Sequence, residues 1–208
     1  MFDHLLIHNR VERWLVGAAD LVLSAGTLIA RRSTVTSDQP VRILVLRLER
    51  IGDLLMTLPA LAKLRAELPD ATIDLVVGSW NTSLAELLTV VDHVETVDAP
   101  WLARGDTETG YLELTRRASQ WRTGRYDLAI NFEGDIRSNA LMALCGAPRR
   151  IGFAIKGGGA FLTERSTYNR RAHVATNALR LVDTVLQHPA ANASADARSP
   201  FAIPEAVR

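Results

Sequence analysis

The feature that most restricts what this chain can fold into is a repeated exchange of period. From Val41 onward, short apolar runs rich in β-branched residues alternate with stretches whose apolar residues recur at helical spacing. VRILVLR (41–47), TIDLVVG (72–78), HVETVD (93–98), YDLAINF (126–132) and RIGF (150–153) read as strands, and helical patterns lie near 58–68, 82–90, 111–123 and 136–145. Strands separated by helices are joined by right-handed crossovers, which makes the sheet mainly parallel and covers both of its faces. The near-continuous apolar character of ILVL and DLVV is what burial on both faces requires. The expected fold class is α/β: a Rossmann-like, mainly parallel sheet with helices on both faces.

The 208 residues suit one such domain with a short appendage. Ahead of the first strand, VERWLVGAADLVLSAGTLIARR (11–32) reads as an amphipathic helix whose polar positions Arg13, Gly17, Asp20, Ser24, Thr27 and Arg31 form one narrow stripe. Its broad apolar face has three destinations: the domain or a partner, a membrane surface, or a membrane span or signal. Against a span stands Asp20, which at the bilayer centre costs roughly 2.5–3.5 kcal/mol. Against a signal peptide stands the lack of a clean small-x-small cleavage site. A last helix begins near His173. After it, HPAANASADARSPFAIPEAVR is rich in Ala, Pro and Ser and reads as a linker. The expected organisation is an N-terminal helix and linker over 1–40, a Rossmann-like domain over 41–188, and a linker over 189–208 leading to a further domain.

Charge and cysteine usage exclude several function classes. With 24 Lys and Arg against 23 Asp and Glu, the balance gives no support for a nucleic-acid binder. Cys145 is the only cysteine, which rules out an internal disulfide framework and a cysteine-based zinc site and fits a reducing cytoplasm. His173 and Asn177 share a helical face, but one such pair is no metal site and reads as helix surface or packing. LRLERIGD lacks the GxGxxG of a dinucleotide site, and KGGGA (156–160) lacks the Lys-Ser/Thr of a phosphate loop and reads as a flexible loop. No Asp-x-Asp pair is available to hold a cation on a diphosphate, so neither a metal nor a cofactor is expected.

What remains is the turn after the first strand. In open α/β sheets the ligand crevice lies at the carboxyl ends of the strands, and RLERIGDLLMTLPALAKL places Gly52 and Asp53 there. Glycine at that point permits close approach of a ligand or a positive φ. Asp53 has two roles open to it: an acid capping the first helical turn, or a carboxylate facing the crevice and able to take a proton from a hydroxyl. Pro59 suggests a helix restarting after a Thr57 cap, with the proline in its first turn. A second polar turn, FEGDIRSNAL (132–141), follows the fourth strand. In it Gly134 makes the turn, and Arg137 either binds an anionic group or pairs with Glu133 or Asp135.

These residues resemble glycosyltransferase family 9, the ADP-heptose:lipopolysaccharide heptosyltransferases. The resemblance runs from about Val41 to Gln187 and looks like the amino-terminal half of those enzymes. Its most specific piece is Gly-Asp followed six residues later by proline (Asp53, Pro59), with the Tyr-Asp-Leu strand and Gly134, Arg137 and Ser138 in support. Asn131 and Glu49 stand where many members carry Asp. The resemblance implies a GT-B architecture, with the acceptor bound mainly by the first domain and the nucleotide sugar by the second. It implies Asp53 as catalytic base, with Arg50, Gly52, Gly134 and Arg137 as substrate-binding positions. It also implies a lipid-anchored sugar acceptor, ADP-heptose or a related nucleotide sugar as donor, and a cytoplasmic protein peripheral on the inner membrane. Because the nucleotide site belongs to the second domain, these residues alone are expected to transfer no sugar. Two alternatives stand beside this: a non-catalytic glycolipid- or protein-binding module, and a transferase of the same fold using another nucleotide sugar.

Overall fold

Six strands, β1 (Arg42–Arg47), β2 (Thr72–Val77), β3 (His93–Thr96), β4 (Leu128–Asn131), β5 (Arg149–Gly152) and β6 (Glu164–Arg165), form one sheet in the order β3-β2-β1-β4-β5-β6. Every neighbouring pair is parallel. The computed structural model describes residues 42–102 and 110–186. The segments read as the N-terminal helix (11–32), the linker (33–40) and the terminal linker (189–208) lie outside the described residues.

The helices are α1 (Ile51–Glu67), α2 (Thr82–Ala85), α3 (Tyr111–Gln120), α4 (Ile136–Ala143) and α5 (Val174–Leu186). Because side chains alternate along a strand, β1 feeds two separate cores. Ile43 and Val45 point to a cluster built with Leu54, Leu58, Leu61 and Leu64 of α1 and Leu181, Val182 and Val185 of α5. Leu44 and Leu46 point the other way, to Leu114 and Ala118 of α3, Trp121, and Leu141 and Met142 of α4. Helices thus cover both faces, and the central strands are buried except at the first residues of β1 and β2, as their near-continuous apolar sequence requires.

Four sequence expectations need correction. The Gly-Asp turn is not separate from the helix that follows: α1 runs unbroken from Ile51, with Pro59 in its interior. Pro59 removes one backbone donor, but both it and Leu55, four residues earlier, are exposed, so the weakened turn lies on the solvent side where it costs least. Thr57 caps nothing; its hydroxyl donates back to the Asp53 carbonyl at 2.8 Å. The helix read over 82–90 contracts to a 3₁₀ turn at Ser79–Asn81 and the short α2, because Trp80 and Asn81 are drawn to the end of β1.

KGGGA is no free loop. Gly157 and Gly158 have φ of +85° and +80°, and a Cβ on Gly158 would stand 2.7 Å from the Ile136 Cα. The segment is sealed under the start of α4, where Asn139 Nδ2 donates to the Phe153 carbonyl at 3.0 Å. His173 stays on the surface and Asn177 packs inside. His173 Nδ1 accepts the Ala175 amide, and buried Asn177 accepts the Asn169 amide and donates to its carbonyl.

Candidate functional site

The strand order reverses its direction of travel between β1 and β4, and in such sheets the ligand crevice opens at the carboxyl ends of those two strands. β1 ends in Arg47-Leu48-Glu49-Arg50 and β4 in Asn131-Phe132-Glu133. Both charged turns of the sequence therefore meet at one place.

Arg47 is its anchor. Only 2% exposed, its guanidinium donates from Nη1 to Glu49 Oε2 at 3.0 Å and to the Phe132 carbonyl at 3.2 Å, while Nη2 lies 3.4 Å from Asp53 Oδ1. One buried cation is thus shared by two carboxylates from the β1–α1 turn and by the backbone of β4. Beneath it, Glu133 is 4% exposed and its Oε1 accepts the Leu48 amide at 2.5 Å. The tie joins β4 to β1 at the switch point.

Asp53 both closes the first turn of α1 and faces a recess. Its Oδ2 accepts the Arg50 amide at 3.3 Å, half of a capping box at the start of α1. Its side chain is nevertheless 37% exposed and lines a recess of about 120 Å³ with Glu49, Arg50, Trp80 and Leu102. A carboxylate has about four lone-pair sites. Two long contacts leave it capacity to accept from a ligand.

The electrostatics follow from crowding three carboxyls around one guanidinium. Burial raises the proton affinity of Glu49, Arg47 opposes that, and the Asp53 charge adds to it. Glu133 is pushed up to about 7, first by burial and next by the Glu49 charge, against the opposing effects of Arg47, the Leu48 amide and Ser138. Near neutrality Glu133 therefore exchanges its proton, whereas an ordinary glutamate would be fully ionised.

Of the residues singled out from the sequence, Asp53 and Arg50 border the recess. Gly52 sits exposed in the first turn of α1 without a positive φ, and a Cβ there would meet nothing within 4 Å. Nothing among the described residues demands that glycine. Gly134 is demanded: its φ is +74° and a Cβ would lie 2.8 Å from both the Phe153 Cβ and the Ile155 Cγ1, so this residue is buried and shapes the turn. Arg137 takes the ion-pair option, with Nε and Nη2 on the two Asp135 oxygens at 2.8 and 3.1 Å, and its guanidinium lies 5.2 Å from the centre of the Trp101 ring. Neither Gly134 nor Arg137 borders the recess. Among the described residues no group of three His, Cys, Asp or Glu side chains is placed to hold a metal ion.

Sequence reading passed over Arg47, Glu133 and Trp80. The first two carried a usable signal, since a charge directly continuing a strand buried on both faces must find a partner at the strand's end. Trp80 carried only its position after β2.

These features define a class: a six-stranded Rossmann-type α/β domain with an arginine-held carboxylate at its switch point. Solved structures of this fold include Escherichia coli ADP-heptose lipopolysaccharide heptosyltransferase II, with a TM-score of 0.61 at 18% identity over 79% of this chain and 47% of that one. They also include a Veillonella parvula family 9 glycosyltransferase (0.62, 20%, 78% and 47%) and an E. coli heptosyltransferase bound to ADP-2-deoxy-2-fluoro heptose (0.58, 20%, 76% and 51%). At these identities the likeness establishes the fold, and the chain spans about half of each neighbour. A Haemophilus influenzae protein that carries a provisional glycosyltransferase name is 28% identical over 115 residues, 55% of this chain and 31% of its own length. No family model matches the chain.

Proposed function

We propose that this chain is the acceptor-binding domain of an inverting glycosyltransferase that moves a heptose from ADP-heptose to the lipopolysaccharide inner core. The nucleotide sugar is then held by a second domain across a GT-B cleft. The observation that supports this best is the Asp53 carboxylate, tethered by Arg47 and its own helix yet open to the recess at the switch point.

On this reading a hydroxyl of the acceptor sugar donates its proton to Asp53 as its oxygen attacks the anomeric carbon from the side opposite the nucleotide. The new C–O bond forms, the bond from the anomeric carbon to the diphosphate oxygen breaks, and ADP departs with that electron pair. Inversion follows from the single in-line displacement. Arg47 supplies a fixed counter-charge, so the carboxylate does not need to reorganise when the hydroxyl arrives. General-base assistance of this kind contributes about 10² to 10⁴ in rate. No metal or cofactor is assigned to the step. The acceptor is lipid-anchored, which places the working protein at the cytoplasmic face of the inner membrane.

A second reading has its own support. The hydrogen bond that the Arg50 amide donates to Asp53 is sufficient reason for an acid at that position in a non-catalytic glycolipid-binding module. Incubating the polypeptide of the whole reading frame with ADP-heptose and inner-core acceptor, and weighing the product, separates the two. The expected result is an acceptor heavier by one heptose and an equivalent of free ADP. Bound but unchanged acceptor would favour the module, and transfer from a different nucleotide sugar alone would reassign the donor.

A further inference from the structure

Trp80 follows β2 at the carboxyl edge of the sheet and is left 37% exposed, although nothing about its setting is loose. Its indole Nε1–H donates to the Glu49 carbonyl at 2.7 Å, and Asn81 Nδ2 donates to the same oxygen at 2.7 Å. The ring lies where only a glycine leaves room: a Cβ on Gly78 would stand 2.5 Å from Cε2 and Cζ2 of the indole. The side chain is thus fixed by a hydrogen bond on one side and by bare backbone on another. Its remaining surface borders the recess that Asp53, Glu49 and Arg50 line.

A rigid aromatic wall facing a ring of charged groups matches a ligand with an apolar face and a polar circumference. A pyranose has that form, since its axial C–H bonds gather on one face while its hydroxyls radiate around the edge. We propose that Trp80 is the platform on which the acceptor sugar ring rests, fixing the plane of the ring so that one hydroxyl of its edge is turned toward Asp53. The assignment rests on the acceptor-binding reading above and adds to it the residue that selects which hydroxyl reacts. The indole is already held in place before a ligand arrives, so little side-chain freedom is lost on binding. The Glu49 carbonyl links platform and base, because the turn that presents Asp53 is the one that Trp80 and Asn81 clamp.

The test is a ¹H–¹⁵N spectrum of the protein titrated with deacylated lipopolysaccharide inner-core oligosaccharide, with the Trp80 indole peak assigned by its loss in Trp80→Phe. The Trp80 indole peak and the Gly52 and Asp53 amides are expected to move together and saturate together. Trp80→Ala is expected to weaken binding about tenfold, as loss of one aromatic contact implies, and Trp80→Phe by less than about threefold. Trp80→Leu, apolar but not aromatic, gives the same comparison should the alanine variant fail to fold, and it should behave as the alanine variant does. If the Gly52 and Asp53 amides move while the Trp80 peak stays and the leucine variant binds as the parent does, the platform is wrong and the acceptor reading stands. If no peak moves at millimolar oligosaccharide, both fall.

Discussion

Arg47 ends β1 with its buried guanidinium held by the Glu49 and Asp53 carboxylates and the Phe132 carbonyl, and its removal tests how the site is held. Arg47→Met leaves Glu49 and the Phe132 carbonyl without their donor in a buried setting. Breaking a fully buried pair from one side costs about 3–5 kcal/mol; because the Glu49 and Asp53 side chains keep solvent access, urea denaturation should register a smaller loss of about 1–3 kcal/mol, with Arg47→Lys losing less. Glu133 makes a separate prediction with a definite sign. Its folded affinity for a proton lies at about 7 against an ordinary value of 4.5, so between those pH values the folded chain holds a proton that the unfolded chain has released. Stability contributed by this group is therefore complete below about pH 4.5 and falls as pH rises toward and past 7, by an amount on the order of 3 kcal/mol. Glu133→Gln keeps an acceptor for the Leu48 amide and cannot ionise. The variant should gain on the parent between pH 5 and pH 8 in denaturant titrations, and parallel profiles would contradict the assignment. Glu49 is raised in the same direction and its charge acts on Glu133, so the two titrate as a pair and the difference between the proteins reports the pair.

The opening of α1 and the glycine segment under α4 make opposite predictions for the same substitution. Gly52 has open space around its α-carbon, so Gly52→Ala should stabilise α1 by about 0.5–1 kcal/mol. If the glycine serves ligand approach, the same variant should bind acceptor more weakly, a rise in stability with a fall in function. Gly158→Ala should do the reverse, losing roughly 2 kcal/mol or more, because its φ is +80° and the added carbon would meet the Ile136 backbone. Thermal denaturation of the two variants checks both signs. The contrast also explains why composition misled at KGGGA: a run of glycines looks the same whether it serves freedom or a forced backbone shape. Pro59 misled for a related reason, since a proline inside a helix is tolerated only when its missing donor faces solvent, and that orientation is a tertiary fact.

At the scale of the molecule, the strands that were legible are those whose environment leaves one solution. β1, β2 and β4 are largely buried and read as near-continuous apolar runs, with Asp74 as the interruption in β2. β6 has two residues, one of them exposed, too few to make any period. Asp53 was legible as a candidate because a turn after a first parallel strand falls at the crevice, but its double engagement was not, since capping and cleft exposure place the same demand on sequence. The bonds of Arg47 to the Phe132 carbonyl and of the Leu48 amide to Glu133 depend on β1 lying beside β4, a non-local pairing that no window of sequence contains.

Among the described residues no helix is long and apolar enough to cross a membrane. Deleting residues 1–35 is expected to reduce partitioning onto liposomes of anionic lipid, and unchanged partitioning would remove that segment from the account. The most direct measurement is of heptosyl transfer by Asp53→Asn in the polypeptide of the whole reading frame. Asparagine still accepts the Arg50 amide and so keeps the cap, but it cannot take a proton from a hydroxyl. The account predicts kcat lowered by about 10² to 10⁴ with acceptor affinity and melting temperature close to the parent's. Transfer at the parental rate would show that Asp53 only starts a helix.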